Sequence, residues 1–186
     1  MQGREDRLEI DLIDKVRAGN RAAFGKLVEP HLPRLLGLAR RMLGAGEEAE
    51  DAVQNALAST WIARAKLDPE QPVAAYLTTV TLNKCRDRLR RRKVTRFFAG
   101  GGIGPDAPVA TDHPDAEAEL AGKQELEEVW LAMDRLPIRL REALVLVAVE
   151  GLSQHEAAEL LGVTEKAIET RVYRARKRLR EKLDFV

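Results

Sequence analysis

Ser153-Gln154-His155-Glu156-Ala157-Ala158-Glu159-Leu160-Leu161-Gly162-Val163-Thr164-Glu165-Lys166-Ala167-Ile168 decides the fold of this chain. Ser153 followed three residues later by Glu156 is a capping-box pattern, which starts a helix by satisfying backbone N–H groups that have no partner within it. Gly162, directly after Leu160 and Leu161, stands where a helix ends on a left-handed residue. Thr164 then caps a second helix, with Val163 before it and Ile168 after it spaced as a hydrophobic staple. Two helices joined by so short a glycine-containing turn form a helix-turn-helix.

The second helix has two faces. Ile168, Val172, Ala175, Leu179 and Leu183 follow the 3.6-residue period and are expected to face a core. Lys166, Glu169, Thr170, Tyr173, Arg174 and Lys177 lie on the other side. The N-terminal part of such a helix enters the major groove of DNA. Lys166, Glu169, Thr170 and Tyr173 are therefore assigned to base edges or adjacent phosphates, and Arg171, Arg174, Arg176 and Lys177 to phosphates. A glutamate in the groove accepts a hydrogen bond from cytosine N4; the competing reading of Glu169 is an ion pair with Lys166 or Arg174.

Working outward, the 186 residues are rich in Leu, Ala, Arg and Glu and only 4% aromatic, an all-helical composition. Net charge is +1, but its distribution is uneven. Lys84 to Arg96 holds eight basic residues against Asp87, and Arg171 to Lys182 holds seven against Glu181. Between them, Asp106 to Glu128 holds eight acidic residues against Lys123. Such asymmetry points to a polyanionic partner, although any single run is usually better explained by a solvated helix face. One cysteine, Cys85, cannot close an internal disulfide, which fits a reducing cytoplasm. No apolar run reaches membrane-spanning length, so no membrane insertion is expected, and the charged start, Arg4 to Arg7, is not a signal peptide.

The first half reads as four helical stretches: Ile10 to Val16; Asn20, as N-cap, to about Leu43, interrupted at Pro30 and Pro33; about Glu47 to Ala65; and Pro72 to about Arg92. Ala99 to Pro114 carries four glycines and three prolines and reads as a flexible linker. Beyond it, helices are expected from about Ala116 to Arg135, from Pro137 to Glu150, and then in the helix-turn-helix. The fold class is thus all-α, two small helical domains joined by a flexible linker, with boundaries at 1–95, 96–118 and 119–186. No cofactor is expected. His31, His113 and His155 are scattered, and His155 with Glu159 reads as a solvated pair before it reads as two metal ligands, so no metal is assigned. Cys85 reads as a packed small side chain. No catalytic residues are identified.

The motifs carry a resemblance. Leu136-Pro137, Glu142-Ala143-Leu144, Glu150-Gly151-Leu152-Ser153, Ala157 to Val163 and Arg171 to Arg180 resemble domain four of bacterial sigma factors. Glu50-Asp51-Ala52-Val53-Gln54-Asn55-Ala56 with Trp61 resembles the core-polymerase-binding stretch of sigma domain two. Ala75-Tyr76-Leu77, Asn83 and Asp87 to Arg92 resemble its DNA-melting helix. With no third domain between them, the layout is similar to the extracytoplasmic-function (ECF) group of the sigma-70 family.

The resemblance implies that Asp51, Gln54 and Asn55 contact the polymerase β′ subunit, with β as a further partner. It implies that the 66–71 loop captures a flipped minus-10 base, extrusion of which costs a few kcal/mol, with Lys66, Tyr76, Thr79, Asn83, Arg86 and Arg90 lining that surface. Lys166, Glu169, Thr170, Arg171, Tyr173, Arg174 and Lys177 would meet the minus-35 duplex. An anti-sigma factor is the implied regulator, the free protein being a monomer and the regulated one a heterodimer. Three positions depart from the pattern: Asn55 where an acidic residue is usual, Tyr76 where Trp is common, and Lys166 with Glu169 where Gly and Lys or Arg are usual. The alternative is a helix-turn-helix regulator that is not a sigma subunit, which would dimerise.

Overall fold

The computed structural model describes residues 2–44, 46–98 and 128–183, and among them every regular element is helical. The 99–114 stretch and the start of the helix expected from Ala116 lie outside the described residues. The N-terminal domain contains α1 (Gln2–Arg17), α2 (Arg21–Val28), α3 (Leu32–Leu43), α4 (Glu47–Ile62) and α5 (Val73–Phe98). The C-terminal domain contains α6 (residues 128–134), α7 (Ile138–Leu144), α8 (Gln154–Leu161) and α9 (Glu165–Leu183).

Local chemistry sets these boundaries. Asn20 caps α2, its side-chain oxygen accepting the Ala23 N–H at 3.0 Å. Pro30 and Pro33 break the expected continuous helix into α2, a 3₁₀ turn over Glu29–His31, and α3. The stretch expected to continue to Ala65 ends at Ile62 and passes into a 3₁₀ turn, Arg64–Lys66. Two helices are longer than their sequence signals: α1 begins before Ile10, and α5 continues past Arg92 to Phe98. The α5 N-terminus is capped from a distance: Glu9 on α1 accepts the Val73 N–H at 3.1 Å, placing a carboxylate on the positive end of the helix.

The N-terminal core is built from Ile13, Val16, Leu35, Leu38, Met42, Leu43, Leu77 and Leu82, all essentially inaccessible to water. Cys85 is equally buried among them. In the C-terminal domain, Leu146, Ile168 and Ala175 are fully enclosed, with α7 and α8 both packed on α9. The expected single helix from Pro137 to Glu150 is in fact α7 followed by a π-helical segment, Val145–Val149. In a regular α-helix residues seven apart share a face, so Val149 would follow Glu142. The wider π turn hands that place to Glu150 instead: Val149 is 43% exposed, whereas the Glu150 side chain is 4% exposed.

Candidate functional site

The helix-turn-helix forms as its sequence requires. Ser153 and Glu156 complete both halves of the capping box: the Ser153 hydroxyl accepts the Glu156 N–H at 3.1 Å, and the Glu156 carboxylate accepts the Ser153 N–H at 2.8 Å. The Ser153 side chain, and then its backbone N–H, hold the Glu156 carboxyl below the usual range. Gly162 is left-handed at φ 63°, and the Thr164 hydroxyl accepts the Ala167 N–H at 3.2 Å to start α9. Ile168, Val172 and Ala175 are buried while Leu179 and Leu183 are half-buried, so the inward face is as its periodicity requires.

On the outward face Lys166, Glu169, Tyr173, Arg174 and Lys177 are exposed and Thr170 and Arg171 half-buried. Lys166 and Glu169 form an ion pair at 2.8 Å, which selects one of the competing readings of Glu169 in the unbound protein. Thr170 donates its hydroxyl to the Lys166 carbonyl at 2.8 Å. Tyr173 is 63% exposed, an uncovered aromatic ring in the third turn of a basic helix.

On α4, Asp51, Gln54 and Asn55 are all exposed, forming one polar patch. Asp51 is held by Arg88 of α5 at 3.0 Å. The Asn55 side-chain NH2 donates to the Asp51 carbonyl at 2.7 Å, which leaves its oxygen free to accept from outside. The patch runs toward Trp61, which lies 5.4 Å from Phe24 and beneath the Arg21 and Arg64 guanidinium groups at 5.8 and 4.8 Å.

The α5 residues divide. Lys66 is exposed on the 3₁₀ turn, Tyr76 is half-buried against the core, and the Thr79 hydroxyl is spent on the Ala75 carbonyl at 3.0 Å. Asn83 and Arg90 are exposed. Arg86 reaches across to the C-terminal domain, where its Nε and Nη2 donate to the Glu142 carboxylate, Nη2 at 3.2 Å, while Nη1 donates to Asn83 at 2.8 Å.

That contact belongs to an interdomain seam that the sequence reading did not identify. The Glu150 carboxylate meets Arg41 at 3.1 Å and Arg34 at 3.3 Å, both on α3. Arg141, itself 3% exposed, donates to the Met42 carbonyl at 2.7 Å, and Arg92 donates to the Leu43 carbonyl at 3.1 Å. The two guanidinium groups thus satisfy the last carbonyls of α3. The signal available in the sequence was three charged residues, Arg141, Glu142 and Glu150, set around the apolar run from Ala143 to Val149. Beside the seam a cleft of about 540 Å3 is lined by Arg92, Lys93, Arg139, Arg171, Arg174 and Arg178.

Among the described residues no group of three or more His, Cys, Asp or Glu is placed to hold a metal. His155 and Glu159 face each other at 3.5 Å with side chains 69% and 70% exposed, a solvated pair. Burial, and secondarily Glu142, pushes the Cys85 thiol up to about 12, so it is no nucleophile at neutral pH.

Comparison with known proteins agrees with this geometry. Residues 27–95 match the model of Sigma-70 region 2, and residues 126–179 match that of Sigma-70, region 4. The chain is 37% identical to the RNA polymerase sigma factor CnrH of Cupriavidus metallidurans over 177 residues, 93% of each protein. It is 33% identical to the ECF RNA polymerase sigma factor SigM of Mycobacterium tuberculosis, over 99% of this chain and 89% of that one. Among solved structures, it is similar to CnrH in complex with the cytosolic domain of CnrY, at TM-score 0.67 and 32% identity, covering 95% of this chain and 97% of that one. It is also similar to the sigma factor RpoE in complex with the anti-sigma factor NepR from Bartonella quintana, at TM-score 0.69 and 27% identity, covering 87% and 97%.

Proposed function

The chain belongs to the ECF group of the sigma-70 family, and from that premise we propose how its parts divide the work of starting transcription. As an ECF sigma factor it binds core RNA polymerase, recognises the minus-35 and minus-10 promoter elements and initiates transcription. The chemistry is the polymerase's; sigma factors are not themselves enzymes. Residues 1–95 form the unit that holds polymerase and handles the minus-10 element, 96–118 join the units, and 119–186 bind the minus-35 duplex.

Asp51, Gln54 and Asn55 meet the β′ subunit. Asn55 contributes an outward acceptor oxygen where the family's acidic residue would add a charge. Lys66, Tyr76, Thr79, Asn83, Arg86 and Arg90 form the minus-10 surface. Lys166, Glu169, Thr170, Arg171, Tyr173, Arg174 and Lys177 form the minus-35 surface. For the bases to be read, the Lys166–Glu169 pair must open, freeing the carboxylate for a cytosine N4 or the ammonium for a guanine.

The observation that carries this reading is the presence, in one chain, of an exposed polar patch on α4 and an exposed basic face on the second helix of a helix-turn-helix. The complexes of similar proteins with CnrY and with the anti-sigma factor NepR support an anti-sigma factor as this chain's regulator. The site of action is the cytoplasm, where polymerase and DNA are; no described helix is long and apolar enough to cross a membrane. The test is reconstitution with bacterial core polymerase. Co-elution with core and promoter-dependent transcripts are expected. A protein that binds DNA as a dimer without associating with core would overturn the reading in favour of a conventional regulator.

A further inference from the structure

Glu142 and Glu150 present two carboxylates of the C-terminal domain to three arginines of the N-terminal domain. Both side chains are almost closed to water, at 3% and 4% exposure. One of the three arginines, Arg86, lies on the proposed minus-10 surface, and Glu142 engages it through both Nε and Nη2, as a phosphate would. Arg171 and Arg174 of the proposed minus-35 surface line the interdomain cleft.

We propose that Glu142 and Glu150 form an autoinhibitory latch, in which Glu142 takes the place of a DNA phosphate on Arg86 and holds the two DNA surfaces together until the domains separate. The inference rests on the assignment of Arg86 and α9 to promoter DNA. Its physical basis is the asymmetry of buried ion pairs. Replacing both carboxylates leaves three part-exposed guanidinium groups without their counter-charge, and opening the seam lets them hydrate fully. A protein whose binding-competent state is scarce binds with an affinity reduced by that scarcity. Freeing the latch therefore strengthens DNA binding by the free protein without adding any contact.

The latch also gives the π segment a use, since it is the π turn that brings Glu150 round to Arg34 and Arg41. Two further seam contacts, from Arg141 and Arg92 to the end of α3, are made to neutral carbonyls.

The experiment compares the full chain with the Glu142→Gln/Glu150→Gln variant by small-angle scattering, and by anisotropy of a fluorescent 20-nucleotide mixed-sequence single strand without polymerase. The wild type is expected near the roughly 16 Å radius of gyration of a compact chain of this length. The variant is expected to be larger by several ångströms and to bind the strand about tenfold more tightly. Equal dimensions would overturn the latch. Expansion with no gain in DNA binding would overturn the role of Glu142 as a phosphate substitute. If circular dichroism shows that the double variant is unfolded, Arg34→Gln/Arg41→Gln releases Glu150 from the other side, and expansion in the same direction is required of it. Run-off transcription with core polymerase separates the two ideas: its failure with wild type and variant alike sinks the functional assignment, whereas the scattering result decides the latch.

Discussion

Single side chains set how firmly each surface is prepared for its partner. Asn55 turns an acceptor outward but carries no charge. An Asn55→Asp exchange is expected to tighten association with core polymerase, by up to about fivefold for an exposed pair; competition against a labelled sigma factor measures it, and weaker binding would contradict the assignment. Arg174, exposed on α9, is expected to act on phosphate alone. Arg174→Ala should weaken promoter binding similarly across sequences and lower the salt slope by about one, while Glu169→Ala should change preference at a single base pair. Cys85, fully buried with its thiol pushed up to about 12, should resist thiol reagents at pH 8 in the folded protein and react once denaturant is added. Prompt labelling of the native protein would show that α5 opens easily. The burial of Cys85 was legible from its residue type, a small side chain that packs more often than it reacts. The partner of Glu169 was not, because Lys166 and Arg174 are both within helical reach and only the rotamers decide.

At the scale of elements, the helix-turn-helix was the most legible part of the chain, because its boundaries are fixed by short-range chemistry. Ser153, Glu156, Gly162 and Thr164 each satisfy backbone groups a few residues away. Nothing lies within 4 Å of a Cβ built at Gly162, so Gly162→Ala meets only the left-handed backbone. It should destabilise the protein by about 1 kcal/mol. Ser153→Ala should do so by about 1 kcal/mol through loss of the cap. Urea unfolding monitored by circular dichroism checks both, and a null effect of the first would mean that the turn is not left-handed in solution. The π segment at Val145–Val149 was illegible for the opposite reason: Val, Leu and Ala suit either winding, and the choice follows from what Glu150 meets across the seam. The extension of α5 to Phe98 was likewise hidden, since neither a helix-breaking residue nor a capping pattern stands between Arg92 and Phe98 to mark an end.

The whole molecule joins the two proposed DNA surfaces across an interdomain seam that includes Arg86 of one of them. The order of domains was legible because each carries its own motifs; their mutual packing was not, because it depends on a few long-range pairs such as Arg86–Glu142 and Arg34–Glu150. At this scale, promoter binding by the polymerase complex should fall steeply with salt, since several basic residues of α5 and α9 displace counterions. A flat profile between about 50 and 200 mM salt would contradict the assigned basic faces. The most direct test of the central claim is transcription from genomic DNA by bacterial core polymerase with and without this protein, followed by sequencing of transcript 5′ ends. The account predicts a set of starts that depend on the protein and share two upstream elements at fixed spacing, near minus-10 and minus-35. Transcripts indistinguishable from those of core polymerase alone, or starts with no shared elements, would contradict it.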